Sequence, residues 1–291
     1  MKDNTLCTMI EHSSRTFPEN RAIIYGDREI SYGELMRAVD ATARALKGLG
    51  LGKGDSVAVM LPNIPEFVIS YFATLKIGAV AVTLNTASTS YELNYYLDNS
   101  DAKALITTAT SAKRFEEIRH ERVLCRHLIV TDGAEGDLSL EEILEQDGPA
   151  VETPELTADD PAVIVYTAGL TGRALGAVLT HGNLYAQSCL VRDLCQGTEQ
   201  DRSLALIPLY HTFGATVNML CALNMGAAMV MMDQFNLDSI FRAIESSSVT
   251  YLSAVPRLFL GMMLHEGADR YNVDSLRLCI TGGSAMPVEW I

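Results

Sequence analysis

Positive charge is scarce in this chain: 22 lysines and arginines stand against 36 aspartates and glutamates over 291 residues, a formal net charge of −14, and no stretch is a basic run. That balance excludes nucleic acid as a partner, because a phosphate backbone is held by clustered Lys and Arg. Long apolar runs are missing too. The opening MKDNTLCTMIEHSSRTF holds no core of signal-peptide length, and the most apolar window, 217–232, is broken by Asn218 and Asn224. Neither a secretion signal nor a transmembrane segment is expected. The cysteines at 7, 125, 189, 195, 221 and 279 show no paired metal or redox spacing, so they read as buried reduced thiols and the expected location is cytoplasmic. Tandem repeats and low-complexity tracts are absent. What is abundant is apolar material, 48% against 20% charged, enough for a large core and too much for disorder. The charge and composition neither demand nor forbid a homo-oligomer.

Short β-branched or apolar runs alternate with helical patterns, which predicts an α/β protein with parallel sheets and crossover helices. Strands are expected at 21–25, 29–32, 57–61, 79–84 and 104–108, with helices after Ser31, over 65–77 and from 89 to 97; Ser31 and Thr89 each have glutamate three residues on, the capping-box spacing. Residues 147–160 gather Pro, Gly and acidic side chains without periodicity and read as a linker. A second α/β unit is expected beyond it, with strands at 162–167, 204–209, 227–232, 249–254 and 276–281. The expectation is two doubly wound α/β subdomains, 1–155 and 156–291, the second incomplete because residue 291 falls where a new helix should start.

Residues 166–176, Tyr-Thr-Ala-Gly-Leu-Thr-Gly-Arg-Ala-Leu-Gly, follow a buried-strand pattern. Glycines there free backbone N–H groups to wrap a phosphate, and the hydroxyls of Thr167 and Thr171 add donors; a purely structural turn is the alternative. No Gly-Lys-Ser or Gly-Lys-Thr is present, so the Walker type is excluded. His181 and Asn183 read first as structural residues, a satisfied core histidine and a helix N-cap. The twelve methionines read as ordinary core rather than an adaptable pocket.

Taken in order with Thr180-His181-Gly182-Asn183-Leu184, with 207–214 (Ile-Pro-Leu-Tyr-His-Thr-Phe-Gly) and with 276–284 (Leu-Arg-Leu-Cys-Ile-Thr-Gly-Gly-Ser), that loop resembles the adenylate-forming superfamily of acyl-CoA synthetases, luciferases and adenylation domains. The upstream segments 17–22, 31–35, 52–58 and 76–80 resemble the same family's opening. The resemblance implies a ligase that activates a small-molecule carboxylic acid with ATP, releasing pyrophosphate, and passes the acyl group from the adenylate to CoA. It implies Mg²⁺ as well, with its ligand beyond residue 291, where the small C-terminal domain would also lie; no residue of this chain is assigned to metal. Carried over by position, Thr167, Ala168, Gly169, Leu170, Thr171, Gly172 and Arg173 form the nucleotide phosphate loop. His211 stands beside the acyl group and α-phosphate as the catalytic candidate, and Gly282, Gly283, Ser284 and Ala285 form the turn on which adenine stacks and beside which the acyl chain lies.

The loop departs from the family's usual Tyr-Thr-Ser-Gly-Thr-Thr-Gly-x-Pro-Lys-Gly. Ala168 replaces serine, Leu170 replaces threonine or serine, Ala174 replaces proline and Leu175 replaces lysine. Two hydroxyl donors and an ammonium are lost, each charge-assisted bond being worth about 1.5 to 3 kcal/mol. Arg173 is the available substitute charge. Two readings follow: an AMP-forming acid:CoA ligase of fatty-acyl or aryl type, and a non-catalytic acyl- or nucleotide-binding chain with a degenerate phosphate loop.

Overall fold

The computed structural model describes residues 4–121, 123–133, 136–167 and 173–286. In chain order its strands are β1 (Arg21–Tyr25), β2 (Arg28–Ser31), β3 (Ser56–Met60), β4 (Val80–Thr83), β5 (Ala102–Thr108), β6 (His127–Thr131), β7 (Leu138–Ser139), β8 (Pro161–Thr167), β9 (Leu175–Thr180), β10 (Arg202–Ala205), β11 (Ala228–Met231), β12 (Tyr251–Ala254) and β13 (Leu278–Thr281). The α/β class expected from the alternating pattern is what forms. Two compact units result, one of Met1–Glu11, Glu34–Pro62 and Glu66–Ala186, the other of His12–Gly33, Asn63–Pro65 and Gln187–Ile291.

The first unit holds a sheet of order β7-β6-β5-β3-β4-β8-β9, parallel except where β9 runs back along β8. β3 and β4 are buried along their whole length, because helices cover both faces; that is why their sequences, SVAVM and VAVT, run as unbroken small and β-branched residues. Met60, Leu93, Phe115, Leu128 and Val130 pack together on one face. The helix Ser90–Asn99 opens with the expected capping box, Thr89 and Glu92 each bonding the other's backbone N–H.

The second unit holds a sheet of order β13-β12-β10-β11-β1-β2. β1 and β2 are a hairpin turned at Gly26, whose φ of +57° suits glycine, and the remaining pairs are parallel. Ile24, Leu204, Ile240, Phe241 and Leu252 pack on one face.

The division expected near residue 155 is not the one the strands make. β8, expected to open the second subdomain, lies beside β4 with Val163 opposite Ala81. β1, expected in the first, lies beside β11 with Ile23 opposite Met229. A five-residue apolar run carries no address; which sheet it enters is decided by which buried edge it completes.

The expected linker is likewise a strap, fastened to the first unit by charged side chains. The Arg44 guanidinium donates to the carbonyls of Gln146 and Pro149, each at 2.8 Å. Val151 N–H donates to Asp40 Oδ1 at 2.8 Å, Thr153 Oγ1 to Glu11 at 3.2 Å, and Lys53 Nζ to the Glu155 carbonyl at 2.8 Å. Lys76, nearly buried, pairs with Asp40 at 3.0 Å. Pro154 closes against Gly78, where φ is +76° and a Cβ would lie 2.8 Å from Pro154 Cγ. Pro and Gly here mark a fitted path, not a free one.

Candidate active site

In the second sheet β10 lies between β11 and β12. The chain leaves β10 toward β11 on one side, and leaves β12 toward β13 on the other. Such a reversal opens a crevice outside the carboxyl ends of the two neighbouring strands, the usual seat of a ligand in an open α/β sheet. The sequence-selected segments 207–214 and 282–285 both leave from this edge.

The strand expected at 204–209 stops at Ala205 because Asn63 takes over its polar groups. Asn63 Nδ2 donates to the carbonyls of Ala205 and Ile207, both at 3.1 Å, and Asn63 Oδ1 accepts from Leu209 N–H at 2.9 Å. A nearly buried asparagine thus directs the exit toward His211. Sequence reasoning missed Asn63; the only signal was an asparagine after proline in an otherwise apolar stretch. His211 itself is exposed, and its Nδ1 accepts from Phe213 N–H at 3.3 Å. In the neutral ring the proton is then on Nε2, which is left to donate outward.

Phe213 reaches the glycine turn. A Cβ at Gly282 would lie 3.0 Å from Phe213 Cζ, and Gly283 has φ +80° with Val255 Cγ1 3.5 Å from where its Cβ would be. Gly283 therefore calls for glycine by its backbone conformation, and at Gly282 a side chain would crowd the end of the Phe213 ring. Ser284 and Ala285 follow as exposed residues. Beside them lies a cleft of about 470 Å³ lined by Ile207, Pro208, Phe235, Ala254, Val255 and Leu258, almost wholly carbon, with exposed Arg257 on its wall.

In the first unit β8 ends at Thr167 and β9 starts at Leu175, the two paired in register. Ala168, Gly169, Leu170, Thr171 and Gly172 lie outside the described residues. Arg173 is exposed, and Leu175, where the family pattern has lysine, is 61% exposed. The flanks are braced by a tyrosine cluster on the helix Ser90–Asn99. Tyr95 Oη donates to the Ala174 carbonyl at 2.9 Å, and Tyr166 Oη donates to Asn99 Oδ1 at 2.8 Å while its ring lies 4.4 Å from that of Tyr96. Burial pushes the Tyr166 phenol up to about 12.

His181 is fully buried; its Nδ1 accepts from Leu6 N–H at 3.3 Å, and burial holds its pKa down to about 4. It is a neutral, interior residue. Asn183 is not the N-cap of its helix. Thr180 takes that place, Asn183 N–H donating to Thr180 Oγ1 at 3.1 Å and Asn183 Oδ1 accepting from Thr180 N–H at 3.2 Å, because the reciprocal pair satisfies two end donors at once. Met219, Met225, Met229 and Met231 are core, as expected, but Met263 is 75% exposed and lines a second, apolar cavity beside β13. Of the cysteines, Cys189 is half-buried and Cys279 exposed, against the expectation that all are interior.

No helix among the described residues is long and apolar enough to cross a membrane. Feruloyl-CoA synthase of Amycolatopsis sp. is 30% identical over 99% of this chain and 56% of its own length. Two solved structures superpose closely. The N-terminal domain of FACL13 from Mycobacterium tuberculosis has a TM-score of 0.90 at 27% identity, covering 99% of this chain and 72% of that one. ATP-bound MatB from Rhodopseudomonas palustris has a TM-score of 0.87 at 26% identity, covering 99% and 56%. The chain spans little more than half the length of the curated relatives it matches, 57% and 56% in two cases. With a histidine-phenylalanine segment closed on a double-glycine turn at the strand ends, and a sequence model of AMP-binding enzymes matching residues 10–291, the chain belongs to the AMP-binding enzyme family.

Proposed function

We propose that this chain is part of an AMP-forming acid:CoA ligase of fatty-acyl or aryl type. The observation that carries the reading is the meeting of Phe213, two residues from His211, with Gly282 at the strand-end crevice. In the first half-reaction the carboxylate oxygen of the acid bonds to the α-phosphorus of ATP and the bond to the β-phosphate oxygen breaks, giving acyl-adenylate and pyrophosphate. In the second, the CoA thiolate sulfur bonds to the acyl carbon and AMP leaves. His211 Nε2–H donates to the reacting oxygens, where charge builds in both steps. The bare backbone at Gly282 and Gly283 admits a flat base, with Ser284 and Ala285 at its margin and the neighbouring cleft open to an apolar ligand body. Thr167 and Arg173 flank the segment whose sequence resembles the family's phosphate loop.

The family reading brings Mg²⁺ with it. Among the described residues no three His, Cys, Asp or Glu side chains converge as a metal set, so no step here is routed through the ion. Support for the substrates comes from the relatives: one is named for feruloyl-CoA synthesis and one solved structure holds ATP. A cytoplasmic setting, where ATP and CoA are supplied, goes with this reading. The exposed Leu175 favours a second one, binding of nucleotide or acyl group without turnover. Acid-dependent exchange of labelled pyrophosphate into ATP, run on the natural full-length protein with aryl and fatty acids, separates them. Exchange supports the ligase; ATP binding without exchange for any acid supports the second reading.

A further inference from the structure

The segment after His211 is a π-helix, Gly214–Leu220, seven residues long and buried throughout. Wide i→i+5 turns are rare because they leave the axis poorly packed, and they occur chiefly where a function holds them. Its start is tied to the candidate site. Ala215 N–H donates to the His211 carbonyl at 2.9 Å, Thr216 Oγ1 donates to the Thr212 carbonyl at 2.7 Å, and Gly214 sits so close to the carbonyls of Ile207 and Pro208 that a Cβ would overlap them. Near its other end Asn218 is fully buried and takes two hydroxyls on one oxygen: Ser203 Oγ of β10 donates to Asn218 Oδ1 at 3.1 Å, and Ser253 Oγ of β12 at 2.6 Å. These are the two strands between which the crevice opens. Asn218 Nδ2, by contrast, is buried with no partner. A leucine of similar volume would spare that cost in stability; what leucine cannot do is accept two hydroxyl protons and so lock the helix at one rotation over the strands.

We propose that Asn218 is a positioning residue: through Ser203 and Ser253 it keeps the segment in its π register and so sets where His211 stands and how Phe213 meets the Gly282 turn. Relaxation to an α-helix would drop one residue from the wide turn and rotate what precedes it by about 100°. Phe213 would then leave the Gly282 turn, and His211 would be displaced with it. The role in catalysis rests on the ligase reading above; the role in placing His211 does not.

The test compares the natural protein with Asn218→Leu, with the double variant Ser203→Ala/Ser253→Ala, and with all three changes combined. The His211 imidazole signal is followed by NMR through a pH titration, and adenylation is read as separate kcat and KM for ATP. Expected are a shifted His211 signal and a kcat at least ten-fold lower, with KM for ATP within about two-fold, in both Asn218→Leu and the serine pair, and no further loss when they are combined, as for members of one network. An unmoved His211 signal in a folded Asn218→Leu overturns the proposal. If that variant does not fold, an unmoved signal in the serine pair overturns it instead. If His211 moves but kcat stays, the placing role holds and the role in catalysis is overturned. Should the natural protein adenylate no acid, the ligase reading fails separately, and the NMR comparison still decides whether Asn218 places His211.

Discussion

At the scale of single residues, the segment proposed to hold the phosphates, 166–176, is where this sequence departs from the family's usual one. Ala174→Pro with Leu175→Lys in the natural full-length protein should restore one charge-assisted bond to the triphosphate, about 1.5 to 3 kcal/mol, or about ten-fold to over a hundred-fold in kcat/KM for ATP. The Ala174 carbonyl that Tyr95 holds survives the proline. Arg173→Ala in the unaltered loop is the companion measurement: a loss of the same size would show that Arg173 already supplies the charge. His181 makes a second prediction. Its folded pKa of about 4 lies below the ordinary 6.5, so between those values the unfolded chain binds the extra proton and the folded chain does not. Its effect is absent above pH 6.5, and stability falls as pH drops toward 4, by about 2 kcal/mol at pH 5. Urea unfolding at pH 7 and pH 5 should show that slope in the natural chain and a flatter one in His181→Gln.

At the scale of elements the strap over 147–160 shows why a linker reading from composition fails. Proline, glycine and acid residues look unstructured in a string, but points along this one are matched to partners far away in sequence, Pro154 to Gly78 and Val151 to Asp40. Lys76→Ala removes the cation from a pair in which Lys76 is 7% and Asp40 13% exposed. Leaving Asp40 so enclosed should cost about 3 kcal/mol, read by urea unfolding, and should speed protease cleavage within 147–160. The π-helix had a signal of a different kind. Asn218 and Asn224 were legible as interruptions of an apolar run; that one of them anchors a helix on two serines 15 and 35 residues away was not.

At the scale of the molecule the 291 residues correspond to 56% of a feruloyl-CoA synthase and hold, among those described, no converging metal ligands. On the ligase reading proposed above, in which the metal ligand and the small C-terminal domain are not supplied by these residues, the isolated polypeptide is expected to give no hydroxamate or pyrophosphate above background with ATP, Mg²⁺ and a panel of carboxylic acids. Turnover by that polypeptide would contradict the expectation.

Much of this protein was legible before any coordinates. Unbroken apolar runs in alternation with helical patterns implied a parallel α/β architecture, because a strand buried on both faces has no polar side to show. The positions of the candidate residues were readable in the same way, since glycine-rich turns and a histidine segment at strand ends are local features. Tertiary structure decided the rest. Which sheet receives β1 or β8, the path of 147–160, the capture of the β10 exit by Asn63 and the approach of Phe213 to Gly282 all depend on partners distant in the chain. Their physical cause is burial: hydrogen bonds and close contacts of that kind acquire their worth only when folding has removed water from both sides.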